Sequence, residues 1–215
     1  MQVLCDGLDL SEAVLKVSKA ISTRTTNPIL EGIKLHAEED KLTLSATDLD
    51  LSIEKKINAE VKIEGDAIVP GRFFTDFIKK LTDEKIELIL NDKNQLKIRY
   101  EDSEGEIQCF YAVEYPSIKT VETQNYFGIT KTNLKNLINK SIFAVATDDA
   151  RPILKGVKIE VDNNEIRAVA LDGYRLALVK SQIVSNIKED VIVPARSLSE
   201  IAKLIDDSED IVNIY

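Results

Sequence analysis

Few side chains in this 215-residue chain have the type and spacing for covalent chemistry. The one histidine is His36, so a Ser-His-Asp triad or a zinc site would have to use it. It alternates with Lys34 at the end of an apolar/polar run, which predicts an exposed strand residue instead. Cys5 and Cys109 stand far apart in strand-like runs and read as reduced core thiols of a cytosolic protein. There is no Walker loop, no GxGxxG and no nucleophile elbow. Asp48, Asp50 and Asp172 offer oxygen ligands for divalent ions, the raw material of a metal-dependent hydrolase. Asp48 and Asp172 are, however, equivalent positions of an internal repeat, and turn formation is the expected role of both. The hydrolase therefore stands as the weaker alternative, no cofactor is expected, and attention moves to noncovalent chemistry.

For binding, charge is the first guide. Lysine and arginine number 28 against 37 acidic residues, a net charge of −9 that by itself disfavours a nucleic-acid partner. The composition, 44% hydrophobic and 30% charged, supports a packed core. No run of about 18 apolar residues is present, so no membrane span is expected, and the first residues do not read as a signal peptide. A cytoplasmic location follows.

The elements that would position any site come in two copies. Pro28-Ile29-Leu30-Glu31-Gly32-Ile33-Lys34 returns 124 residues later as Pro152-Ile153-Leu154-Lys155-Gly156-Val157-Lys158. The same offset takes Ala46 to Ala170, Asp48 to Asp172, Ile68-Val69-Pro70 to Ile192-Val193-Pro194 and Arg72 to Arg196. Apolar residues at helical spacing predict helices over 10–22, 71–82, 131–145 and 195–205, the second of each pair following Val-Pro. Alternation predicts strands over 41–46, 49–53, 86–90, 95–100 and 106–112. Each copy reads as α+β, two helices backed by antiparallel sheet. The boundaries expected are residues 1–118 for the first domain, 119–124 for a linker and 125–215 for the second. A second copy of equal length would run to about residue 240, so the counterparts of the last two strands are expected to be missing. That domain should carry an unpaired edge, and the chain reads as a fragment.

The charge is unevenly shared. The four helical stretches carry seven more basic than acidic residues, and the remainder carries sixteen more acidic than basic. Helices sharing one surface would form a basic track for a sugar-phosphate backbone, without base reading. Two other readings stand beside this one. The lysines could serve solubility alone, or the basic helices could face an acidic protein in an interaction scaffold.

The order and spacing of "NPILEGIKL", "LSATDLDL" and "VPGRFFTDFIKKL", with Arg24 before Pro28, resembles the first domain of the bacterial DNA polymerase III beta subunit (sliding clamp) family. The run "ARPILKGVKIEV", "DGYRLALV" and "VIVPARSLSEIAKLI" resembles its second domain. The resemblance implies tandem DNA-clamp domains, three to a protomer, with two protomers closing head to tail into a ring whose helices line the hole. It implies a non-catalytic processivity factor that tethers the polymerase to duplex DNA without reading its sequence. The partners implied are duplex DNA, the polymerase III alpha subunit, the clamp loader and other clamp-binding peptides, a homodimer ring at full length, and no membrane. The third domain would be absent here. DNA contact is implied for Arg24 and Arg151. The helix residues Arg72, Lys79, Lys80, Lys131, Lys135, Lys140, Arg196 and Lys203 are further candidates. A pocket for short peptides is implied at Leu154, Leu171, Gly173, Tyr174, Arg175 and Leu176, where Leu171 replaces the family's threonine. The alternative for Tyr174 and Leu176 is ordinary packing within an alternating strand.

Overall fold

The computed structural model describes residues 1–22, 25–81, 85–111, 115–118, 126–148, 150–185 and 187–215. It divides into two units, Met1–Ile118 and Lys119–Tyr215. The linker expected at 119–124 lies outside the described residues, as do the last residues of the predicted helix 71–82 and strand 106–112.

The first unit runs β1 (Gln2–Asp6), α1 (Gly7–Val17), β2 (Gly32–Glu38), β3 (Lys41–Thr47), β4 (Ser52–Ile63), β5 (Gly65–Pro70), α2 (Gly71–Ile78), β6 (Lys85–Leu90), β7 (Gln95–Tyr100) and β8 (Ser103–Gln108). Its strands form one antiparallel sheet in the order β5-β2-β3-β4-β1-β6-β7-β8. The twelve-residue β4 holds the sheet together, pairing β3 with its first half and β1 with its second. The two edges meet where the Phe110 N–H donates to the Ile68 carbonyl at 2.8 Å. Leu10, Val14 and Val17 of α1 and Phe74 and Ile78 of α2 are buried in one core with Ile33, Leu35, Leu42, Leu44, Ile86, Leu88, Leu96 and Ile98 of the sheet. Each such side chain contributes about 1.5–3 kcal/mol by leaving water. Cys5 and Cys109 are buried, unpaired thiols of the same core.

The second unit runs β9 (Phe127–Thr130), α3 (Lys131–Asn139), β10 (Gly156–Asp162), β11 (Glu165–Leu171), β12 (Leu176–Gln182), β13 (Lys188–Pro194), α4 (Ala195–Leu204) and β14 (Ile211–Ile214). Among the described residues its strands form a sheet β12-β11-β10-β13 and a pair β14-β9, touching at a single Gly128–Val184 bridge. The 124-residue frame persists in the coordinates: β2 and β10, and β3 and β11, begin and end at equivalent residues. The helix starts correspond as well. The Asp6 carboxylate accepts from the Leu8 and Asp9 N–H groups ahead of α1, and the Thr130 hydroxyl accepts from the Asn133 N–H ahead of α3. Gly32 and Gly156 mark a shared close crossing. A Cβ on Gly32 would stand 2.6 Å from the Ile68 Cγ2, and one on Gly156 2.5 Å from the Ile192 Cγ2.

Several sequence expectations need correction. The first helix of each copy ends early, at Val17 and Asn139, followed by 3-10 turns at Ser18–Ala20 and Ile142–Ala144. Hydroxyls accompany both exits: Ser18 Oγ donates to the Leu15 carbonyl, and Ser141 Oγ to those of Leu137 and Ile138. The Pro-Ile-Leu segments, to which the pattern assigned no element, are 3-10 turns, with strand beginning at Gly32 and Gly156. The strand expected over 49–53 begins at Ser52, because Leu49 and Asp50 belong to a turn in which Leu49 has φ +79°.

The copies also differ in cover. In the first unit, Ile29, Leu30 and Ile68 lie buried beneath Phe110 and Tyr115. Of their equivalents, Ile153 is 64% and Ile192 42% exposed while Leu154 is half-buried; the counterparts of Phe110 and Tyr115 would fall at about 234 and 239, outside this sequence.

Candidate functional site

In the second unit, the end of β11 and the start of β12 present a tight turn built around Asp172. Its Oδ1 accepts the N–H groups of Tyr174 and Arg175 at 2.9 and 3.0 Å. Its Oδ2 accepts Arg175 Nε at 2.9 Å. These donors, the two backbone groups foremost, hold the Asp172 carboxyl below the usual carboxylate range. Gly173 has φ +95°, a region L side chains seldom enter. Asp48 builds the same turn in the first unit, accepting the N–H groups of Asp50 and Leu51 at 3.1 and 2.8 Å. Both aspartates thus serve turns, each in its own unit. No cluster of three metal-ligating side chains occurs among the described residues.

On that shared scaffold the copies carry different side chains. Asp50 and Ser52 of the first stand where the second has Tyr174 and Leu176. Tyr174 is 99% exposed and Leu176 63% exposed, so neither packs into its own unit. Leu171 pairs with Leu176 across β11 and β12 and is half-buried, as is Leu154. The Arg175 guanidinium lies 5.7 Å from the centroid of the Phe143 ring, a cation–π distance. Phe143 itself is exposed. Arg151, expected among the DNA contacts, belongs to this group. Its Nη2 donates to the Asp172 carbonyl at 3.4 Å, and it lies 3.2 Å from where a Gly173 Cβ would stand. The sequence reading missed Phe143, which falls outside the apolar helical spacing.

The other basic candidates divide by their partners. Arg24 lies outside the described residues. Arg72 and Lys80 in and after α2, and Lys140 at the end of α3, are exposed and have no carboxylate partner among the described residues. Lys79 pairs with Asp76 and Lys203 with Glu200, each one turn back on its own helix. Lys131 is held by Asp206 at 2.7 Å and Asp210 at 3.0 Å, and Lys135 by Asp207 at 2.8 Å. Arg196 is exposed in the first turn of α4. His36 lies on β2 with Nδ1 2.6 Å from Asp66 and Nε2 3.3 Å from Glu38. The hydrogen bond to Asp66 raises its pKa above the ordinary imidazole value, whereas a catalytic base poised by burial would be shifted down.

Both units match known protein domains. Residues 1–119 match the family described as DNA polymerase III beta subunit, N-terminal domain, and residues 128–215 match its central domain. The beta sliding clamp of Bacillus subtilis is 38% identical over 217 residues, covering 95% of this chain and 57% of its own length. That of Halalkalibacterium halodurans is 35% identical over 210 residues, covering 92% of this chain and 55% of its own. The chain thus spans little more than half the length of these relatives. Among solved structures, the Bacillus subtilis DNA polymerase sliding clamp superposes with a TM-score of 0.95 at 34% identity, over 99% of this chain and 59% of that one. A Pseudomonas aeruginosa sliding clamp bound to griselimycin superposes at 0.89 with 28% identity, over 99% of this chain and 58% of that one. The chain belongs to the DNA polymerase III beta subunit family, the beta sliding clamps.

Proposed function

We propose that this chain is the first two domains' worth of a DNA polymerase processivity factor. At full length it would close as a homodimer ring around duplex DNA in the cytoplasm and tether the replicative polymerase without chemistry of its own. The family match over both units carries this reading. The contact with DNA is electrostatic and independent of sequence, and is assigned to Arg24, Arg72, Lys80, Lys140, Arg151 and Arg196, whereas Lys79, Lys131, Lys135 and Lys203 are taken up by ion pairs in this chain.

The turn at residues 172–176 is the docking point for short peptides of the polymerase alpha subunit, the clamp loader and other partners. Tyr174 and Leu176 offer apolar contact to a leucine or phenylalanine anchor, beside Leu154 and Leu171. Arg175 is oriented by Asp172 and Phe143 to meet a polar group of the peptide. Arg151 and Gly173 set the backbone of that turn. Support comes from the repeat itself: the first unit keeps the scaffold but not the apolar side chains.

The experiment is a titration of random-sequence duplex DNA against this chain at several salt concentrations. The reading requires binding that weakens with salt by about 0.9 log units per log unit for each phosphate contacted. Salt-insensitive binding would refute it. Competition with polyglutamate separates it from an acidic-protein scaffold.

A further inference from the structure

The basic face of α3 does not stand bare. Residues 206–210, between α4 and β14, lie across its first turn as an acidic strap. Backbone bonds fix the strap: the Lys131 N–H donates to the Asp210 carbonyl at 2.9 Å and the Thr132 N–H to the Ser208 carbonyl at 3.1 Å. The Thr132 hydroxyl also donates to the Ser208 carbonyl at 2.9 Å. Three carboxylates then meet two ammonium groups. Asp206 and Asp210 hold Lys131, Asp207 holds Lys135, and Ser208 Oγ donates to Asp210 Oδ2 at 3.0 Å. The arrangement is lopsided in exposure. The lysine side chains are 23% and 26% accessible, whereas the three aspartates are 68–77% accessible and stand outermost. Lys131 and Lys135 sit four residues apart on one helical face, where consecutive phosphates would be expected to bind. The strap presents anionic oxygens to the same Nζ atoms first. In the first unit Gly7 and Ser11 stand at the positions of the two lysines.

We infer that residues 206–210 are an autoinhibitory strap that competes with nucleic-acid phosphates for Lys131 and Lys135. This rests on the DNA-binding reading above. By removing two basic groups from the count of phosphate contacts, the strap keeps a sequence-independent hold on DNA weak and mobile. Its hold on the lysines raises the Lys131 pKa and lowers those of Asp206 and Asp210, as mutual neutralisation requires. Because the strap is anchored by backbone groups, its charge can be removed without removing its fold.

The test compares salt dependence of duplex binding for this chain, the variant D206N/D207N/D210N, the variant K131Q/K135Q, and their combination. With the carboxylates neutralised, two more phosphates are contacted, so the salt slope steepens by up to about 1.8. Between 50 and 200 mM salt the triple-asparagine variant then loses about twelvefold more affinity than the unaltered chain. K131Q/K135Q alone leaves the slope as it was, and added to the triple variant it restores the original slope. An unchanged slope in D206N/D207N/D210N overturns the strap. So does a slope that falls in K131Q/K135Q alone, because the lysines would then already reach phosphate. Circular dichroism checks the fold of each variant. Should the triple variant misfold, D207N alone decides: it frees Lys135 and should steepen the slope by up to about 0.9, and an unchanged slope overturns the strap. If the unaltered chain fails to bind duplex DNA at low salt, the DNA reading falls and the strap with it, an outcome distinct from binding with an unchanged slope.

Discussion

Gly32 and Gly156 are the same residue of the two copies, and replacing each with alanine should have unequal consequences. Both have extended backbone, φ −89° and −108°, that alanine adopts freely. Alanine's narrower unfolded ensemble would favour the folded state by about 0.4–1 kcal/mol in the absence of a clash. The clash is alike in distance, 2.6 Å to Ile68 Cγ2 and 2.5 Å to Ile192 Cγ2. It differs in what can yield. Ile68 is 0% exposed and held under Phe110 and Tyr115, so the new methyl overpacks a closed site. Overpacking of that kind costs about 1–3 kcal/mol. Each new methyl also meets one backbone oxygen, Ile29 O at 3.0 Å or Val193 O at 3.1 Å, a cost common to both. Ile192 lies open and can rotate toward solvent, so G156A should cost less than G32A by about 1 kcal/mol or more. Urea unfolding of the two units, followed by hydrogen exchange at core amides of each, reads the difference. With a slope of about 1–3 kcal/mol per molar urea, G32A should lower the first unit's midpoint further than G156A lowers the second's, by roughly 1 M at the shallower slope. Ile68→Ala should soften G32A, the double variant losing less than the two singles together. Equal losses at the two glycines would refute the reasoning, because they would mean that the openness around Ile192 has no mechanical consequence.

Other outcomes follow from the same structure. Tyr174→Ala and Leu176→Ser should leave unfolding within about 0.5 kcal/mol of the parent, yet weaken a leucine- or phenylalanine-anchored peptide by about tenfold or more in fluorescence anisotropy. Burial pushes the Cys5 thiol up to about 12 and the Cys109 thiol up to about 11. Iodoacetamide at pH 8 should therefore spare both until the chain unfolds, as mass spectrometry would show. His36 should titrate above the ordinary imidazole value by NMR, and Asp66→Asn should return it most of the way. Because its folded pKa is the raised one, the stability it contributes is fully present below its unfolded pKa. That contribution disappears as pH rises through the folded value, so His36→Gln should matter more at pH 5.5 than at pH 8.5.

The legible features were those carried by local chemistry. The frame of 124 was visible because Pro28, Gly32, Asp48 and Pro70 each impose a backbone geometry that their counterparts Pro152, Gly156, Asp172 and Pro194 must also impose. The 3-10 turns before β2 and β10 were not legible, since a four-residue run beginning Pro-Ile-Leu is too short to show a helical or strand period. The long β4 was only begun by the pattern. Both of its faces are largely solvated across Glu54, Lys55 and Lys56, so no period of two survives there. Position along the helices told which lysines were basic, but not which were already paired. The partners of Lys131 and Lys135 lie more than seventy residues away, and only tertiary structure brings them together.

The two copies supply their own control for what is architecture and what is recognition. If the turn at Asp172 existed only to join β11 to β12, the turn at Asp48 shows that it could do so with Leu49 and Asp50 in place of Gly173 and Tyr174. Leaving a tyrosine almost wholly in water, beside an exposed leucine, gains nothing for folding, because neither side chain is removed from solvent. Arg175 points the same way. Its counterpart Leu51 packs against the core of the first unit, whereas Arg175 is drawn out over Phe143 and tied to Asp172. A position that packs in one copy and is held at the surface in the other has been released from the core. The peptide docking proposed above would use such a position, whereas a phosphate backbone would have no use for the apolar surface of Tyr174 and Leu176.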